Sequence, residues 1–264
     1  MQTLSIVGPA ADRLAERLAP RLDGRVATVE RLPERTDGTD ADGVDGSFGL
    51  GDDGAWVGAG EHRSLGDLLD ALAVEYDYAL LSGVPEARAP TVVVGDEGIE
   101  VRGDVVDTVD AVDDADLDAL ARHADDGEPY ITLETLVEQV KQSPRAERAG
   151  AIATFTGRVR AKDGGDDSRT THLAFEKYEG VAEDRMTTIS EELTARDGVE
   201  EVAMHHRTGV IEDGEDIVFV VVLAGHRTES FRAVEDGINR LKDEVPIFKK
   251  ETTVDEEFWV HDRQ

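Results

Sequence analysis

At 264 residues and 39% hydrophobic content, the chain can bury the core of one large domain or two ordinary ones, and two are expected. Its formal charge of −31, from 59 acidic and 28 basic residues, repels nucleic-acid phosphates and anionic lipid head groups, so neither is an expected partner. With no cysteine, the chain holds no disulfide, no thiolate metal site, no iron–sulfur cluster and no persulfide of its own.

The chain opens on Leu4-Ser5-Ile6-Val7-Gly8-Pro9, which reads as a short strand and turn. Leu14, Leu18 and Leu22 then recur every four residues, as on one face of a helix. Thr36 to Gly60 is crowded with Gly and Asp and reads as a long loop or insertion. The apolar runs Tyr78 to Leu81 and Thr91 to Val94 fit buried parallel strands, so the first domain, residues 1–125, is expected to be a small α/β sheet. Asp104 to Glu128 is rich in aspartate and reads as an acidic linker holding a short helix over Asp116 to Ala124, with Gly127 and Pro129 marking the boundary.

The second domain, residues 128–264, begins with a helix on which Leu133, Leu136, Val137 and Val140 share a face and Thr132 is the N-cap. Strands are expected at Ala151 to Arg160, Thr171 to Tyr178, Glu201 to His206 and Asp216 to Ala224, with helices over Val181 to Arg196 and Thr228 to Lys242. These strands do not alternate strictly with helices, so the expectation is an α+β domain with a mixed sheet. The longest apolar run, Ile217 to Ala224, is far short of the roughly 20 residues of a membrane span, and the first residues lack the pattern of a signal peptide. A soluble, cytoplasmic protein is expected.

So acidic a surface suits a salt-accumulating, halophilic cytoplasm, where molar salt shortens the Debye length to about 3 Å. Only six of the 28 basic residues are lysine, and three of them, Lys242, Lys249 and Lys250, fall within nine residues. A cation in the last turn of a helix complements the dipole, and a surface strand carries exposed lysines, which is one explanation. The other is chemical: a desolvated lysine can give up its proton and act as base, acid or nucleophile, which arginine cannot. Gly225-His226-Arg227-Thr228, at a strand end and a helix start, has the pattern of an anion site built from free backbone N–H groups and a guanidinium. Phe155-Thr156-Gly157-Arg158-Val159-Arg160 reads as a strand with both arginines on one face and a glycine that permits close backbone approach. His205 and His206 point to opposite faces of a strand and cannot chelate one metal, and Asp40, Asp42 and Asp45 lack the twelfth-position Glu of an EF-hand, so no metal site is expected.

Taken in order, several pieces resemble the large, catalytic subunit of molybdopterin synthase along residues 128–264. They are Gly150 to Arg160, Glu176-Lys177-Tyr178-Glu179-Gly180, His206-Arg207-Thr208-Gly209 and Gly214 to Val220. After them come His226-Arg227, Phe231, Leu241-Lys242, Pro246 to Glu251 and Trp259. The resemblance implies an α/β hammerhead-like domain that converts cyclic pyranopterin monophosphate into molybdopterin, without a cofactor. Two sulfurs would come from the C-terminal Gly-Gly thiocarboxylate of a small ubiquitin-like partner, within a homodimer flanked by two small subunits. It places Lys242 and Lys249 at the catalytic positions. Arg160, His226 and Arg227 take the phosphate and pterin positions, Phe155 lines the pocket and Lys250 supports it. A non-catalytic pterin or nucleotide adaptor in the same pathway is the alternative.

Residues 1 to about 100 are faintly similar to the adaptor protein of molybdopterin guanine dinucleotide synthesis, a P-loop protein, through Ile6-Val7-Gly8-Pro9, Glu16 to Ala19, Gly24 to Val29 and Tyr76 to Gly83. One departure stands out: Pro9-Ala10-Ala11-Asp12-Arg13-Leu14 follows Gly8, and no lysine occurs before Lys141. A phosphate-holding loop needs that lysine and a following Ser or Thr. The expectation is therefore a degenerate P-loop-like domain that has lost nucleotide hydrolysis and keeps a docking or handover role.

Overall fold

The computed structural model describes every residue except 33–44, 61, 96–97, 163, 165–166, 179, 255–256 and 261–264. Asp40, Asp42 and Glu179 therefore lie outside the described residues. The chain forms two compact units, Met1–Tyr130 and Ile131–Gln264.

The first unit holds a parallel sheet in the order β2-β5-β1-β6-β7, from β1 (Gln2–Val7), β2 (Val26–Glu30), β5 (Tyr78–Ser82), β6 (Thr91–Val94) and β7 (Val105–Val109). Alternation along the strands divides its side chains between two cores. Leu4, Ile6, Leu80 and Val92 pack with Leu14 and Leu18 of α1 (Ala11–Leu18) and Leu120 of α3 (Leu117–Asp125). Ala79 and Leu81 pack on the other side with Leu69 of α2 (Leu65–Ala73).

Two expectations change here. The aspartate-rich stretch after Asp104 is no linker. It supplies edge strand β7 and helix α3, whose Leu120 is fully buried and whose Asp116 carboxylate caps the first turn by accepting from the Asp118 and Ala119 N–H groups. The Gly- and Asp-rich stretch also contains a hairpin, β3 (Gly46–Leu50) and β4 (Trp56–Gly60), with Phe48, Leu50, Trp56 and Val57 exposed.

The second unit has two sheets, and all their described pairings are antiparallel, so the expected mixed sheet is not what forms. The first is ordered β10-β12-β8, from β8 (Ala151–Arg158), β10 (Val199–His206) and β12 (Asp216–Ala224). The second is ordered β11-β9-β13-β14, from β9 (Thr170–Lys177), β11 (Gly209–Glu212), β13 (Ile247–Thr253) and β14 (Glu257–Val260). Strand β12 is central and covered on both faces, which is why it reads as an unbroken apolar run. Its Phe219, Val221 and Leu223 pack against Leu136 and Val140 of α4 (Leu133–Lys141). Its Val218, Val220 and Val222 pack against α5 (Val181–Thr194), α6 (Arg227–Glu244) and Leu173 and Phe175 of β9. Thr132 caps α4 as expected, in a reciprocal capping box with Thr135.

Candidate active site

The lysine-rich segment is a helix end, a turn and a strand. Leu241 is buried, and Lys242, one position on in the last turn of α6, is exposed. Val245, which is buried, and the half-buried Pro246 close the turn into β13. There Lys249 lies opposite Phe175 of β9, and Ile247 lies opposite Lys177. Directly opposed residues share a face, so Ile247, Lys249, Phe175 and Lys177 all project toward the core side of the sheet. Lys249 is half-buried there. Lys250 projects from the other face, where its Nζ stands 5.8 Å from the centroid of the Trp259 ring. The two adjacent lysines therefore work in different surroundings.

Around this point the core contains two polar side chains that the expected site omitted. Lys177 has a side chain only 15% exposed, with Nζ 2.6 Å from Glu183 Oε1. That ammonium is the largest influence holding the Glu183 carboxyl below its ordinary range, against a smaller effect of burial. His206, 7% exposed, donates from Nδ1 to the Arg207 carbonyl at 2.7 Å and meets the Phe175 ring edge-on, with centroids 4.9 Å apart. Burial is the main cause that pushes its pKa down to about 4, and the charge on Lys177 adds to it, so the ring is neutral at neutral pH.

The residues expected to bind substrate divide between the two ends of α6. Phe155 is half-buried against the core in β8, opposite Val220, and packs near Gly157, where a Cβ would stand 2.6 Å from Val218 Cγ1. Arg158 is engaged by Asp216 at 3.2 Å and by the Gly214 carbonyl, whereas Arg160 lies two residues past the strand end and is exposed. His226 and Arg227 lie at the other end. His226 is the N-cap of α6 in an extended conformation, and its side chain makes no capping bond. Both side chains are exposed beside the first turn, which also carries Glu229. From Arg227 to Lys242 the helix rises roughly 22 Å at 1.5 Å per residue. One chain thus puts Lys242 and Lys249 about the C-terminal end of α6 and holds His226 and Arg227 at its N-terminal end, while Phe155 lies midway along the sheet, opposite Val220. Among the described residues no cluster of His, Asp and Glu could hold a metal ion, and no helix is long and apolar enough to cross a membrane.

A family model described as the MoaE protein matches residues 129–244. A probable molybdopterin synthase of Haloferax volcanii is 62% identical over 264 residues, covering 100% of both chains. The chain belongs to the molybdopterin synthase family. It is an enzyme of molybdenum cofactor biosynthesis, similar to the catalytic subunits of that synthase. Among solved structures, molybdopterin synthase from Staphylococcus aureus is 31% identical with a TM-score of 0.45, covering 51% of this chain and 93% of that one. A MobB protein homolog from Bacillus stearothermophilus is 20% identical with a TM-score of 0.36, covering 47% of this chain and 99% of that one.

For this synthase relative, buried His206 gives a stability test with a defined sign. The folded state disfavours the charged ring, so as pH falls below the ordinary value of 6.5 the unfolded chain takes up the proton first. The stabilisation is complete above that value and is lost progressively down to about pH 4. Denaturant unfolding of wild type and His206→Phe at about pH 7 and about pH 5 should show an extra loss of about 2 kcal/mol in wild type only. Equal pH dependence in the two proteins contradicts the assignment.

Proposed function

We propose that the chain converts cyclic pyranopterin monophosphate to molybdopterin in the cytoplasm, forming the dithiolene with two sulfurs. Each sulfur would come from the C-terminal Gly-Gly thiocarboxylate of a small ubiquitin-like partner. One observation carries the reading: in a chain with six lysines, Lys242 and Lys249 flank a single helix-to-strand turn, one exposed and one half-buried. The absence of cysteine supports an external donor, because no thiol of the chain could hold the sulfur. In each transfer the thiocarboxylate sulfur bonds to a side-chain carbon of the pterin as a C–O bond at that carbon breaks and its oxygen leaves, as water or on the opened phosphate. Water then attacks the acyl carbon, the acyl C–S bond breaks, and the partner leaves as a carboxylate. Lys242 assists the attack or the breakdown of the acyl adduct, and Lys249 stabilises the developing negative charge.

In the same proposal His226, Arg227 and Arg160 grip the phosphate and pterin and Phe155 lines the pocket, while Lys250 supports the strand from its outer face. The length of α6 favours a homodimer in which His226 and Arg227 of one copy complete the pocket around the lysines of the other. A small subunit at each pocket then makes a heterotetramer. The assay is dithiolene formation in molar salt from the pterin and a ubiquitin-like protein ending in a Gly-Gly thiocarboxylate. Lys242→Ala and Lys249→Ala should each slow it about a hundredfold or more. A wild-type rate in Lys242→Ala would remove that residue from the mechanism, and pterin binding without product by the wild type would favour a non-catalytic adaptor.

For the first unit we propose a degenerate P-loop-like domain that docks or hands over rather than hydrolyses nucleotide. In the β1–α1 turn Pro9 has no N–H to offer a phosphate, Ala10 is left-handed at φ 58°, and Asp12 puts a negative charge in the first turn of α1. Gly8, at φ 106°, packs so tightly that a Cβ would fall 2.1 Å from the Val94 carbonyl oxygen. The full-length protein should show no ATP or GTP turnover, and measurable turnover would overturn this part.

A further inference from the structure

Lys177 is a mostly buried lysine in a chain that uses arginine for most of its cations, and neither the family resemblance nor the proposed chemistry gives it a task. Its ion pair does more than neutralise charge. Glu183, three residues into α5, accepts from the Gly180 N–H through Oε2 at 2.9 Å while Oε1 takes the Lys177 ammonium. The last residue of β9 and the first turn of α5 are thus tied by one carboxylate across a turn that needs a positive φ of 76° at Gly180. That turn carries Tyr178, whose ring meets Phe248 edge-on with centroids 5.6 Å apart. Phe248 directly precedes Lys249, and the backbone of β13 is held on this side by its pairing with β9.

We infer that Lys177 and Glu183 are positioning residues for Lys249: they lock the β9–α5 turn so that Tyr178 buttresses Phe248 and fixes where the next side chain projects. The inference rests on Lys249 acting in sulfur transfer. Lysine suits the position because its compact ammonium needs only the one carboxylate oxygen of Glu183 that it meets, whereas a planar guanidinium would seek the second oxygen, already used by Gly180. His206, held neutral by its apolar surroundings, keeps a second positive charge away from Lys177.

The test uses the full chain with the pterin and the thiocarboxylated ubiquitin-like protein in molar salt. Glu183→Gln keeps an amide oxygen for the Gly180 N–H and removes only the ion pair, so it remains informative where Lys177→Ala fails to fold. Glu183→Gln and Tyr178→Ala should each lower kcat about tenfold with KM changed less than about twofold, the cost of a slightly misplaced catalytic group. Their double variant should be no slower than the worse single, because both break one linkage. Tyr178→Phe, which keeps the ring, should restore kcat. A purely structural pair would lower the melting temperature and leave kcat per folded site unchanged, and that result overturns the inference, as does an additive double variant. If Lys249→Ala itself keeps the wild-type rate, the underlying reading fails. If Lys249→Ala is slow while Glu183→Gln is not, only the positioning role fails.

Discussion

Burial of β12 on both faces is the constraint on which the second unit depends. An antiparallel strand usually leaves one side to water, yet here alternate residues enter two different cores, one under α4 and one shared by α5, α6 and β9. Because β12 must be covered, α6 returns along it in the opposite direction, and the residues at its two ends are carried apart. His226 and Arg227 begin the helix where β12 leaves off, and Lys242 ends it beside the turn into β13. The separation that favours a two-copy pocket thus follows from hydrophobic packing.

Charge acts at a different scale. The net charge is −31, yet 18 of the 28 cations fall after residue 126, and the second unit uses them individually. Arg158 is engaged by Asp216 and the Gly214 carbonyl, Lys250 by the Trp259 face, and Lys177 by Glu183. Lys249 differs in location: it is half-buried on the core side of its sheet, opposite a phenylalanine that touches a neutral histidine. A lysine in such a place is useful for chemistry because the surrounding apolar side chains, rather than water, decide how strongly it interacts with a developing charge.

Much of the second unit was legible because its signals are local. The apolar run of β12, the i, i+3, i+4, i+7 pattern of Leu133, Leu136, Val137 and Val140 on α4 and the Thr132 cap each specify an element from a few adjacent residues. The hairpin of Gly46–Leu50 and Trp56–Gly60 was not, since glycine and aspartate dominate its stretch and its apolar residues are exposed rather than packed. The roles of Lys177 and His206 needed long-range pairing: nothing adjacent to His206 says that it, rather than His205, faces the core. Strand alternation does separate Lys249 from Lys250, by the rule that separates those two histidines, once the segment is known to be a strand. Family resemblance supplied the likeness of the lysine positions, whereas their division between sheet faces required the register with β9.

Whether the two ends of α6 serve one pocket through two copies is the central claim. It is tested most directly by mixing two inactive variants, Lys249→Ala and Arg227→Ala, and allowing their subunits to exchange. In a shared pocket, mixed dimers contain one site with both wild-type residues, and dithiolene formation returns to a substantial fraction of the wild-type rate. If each chain builds its own complete site, every site in every mixed dimer remains defective. Activity that stays at the level of the separate variants, with exchange verified, would contradict the account.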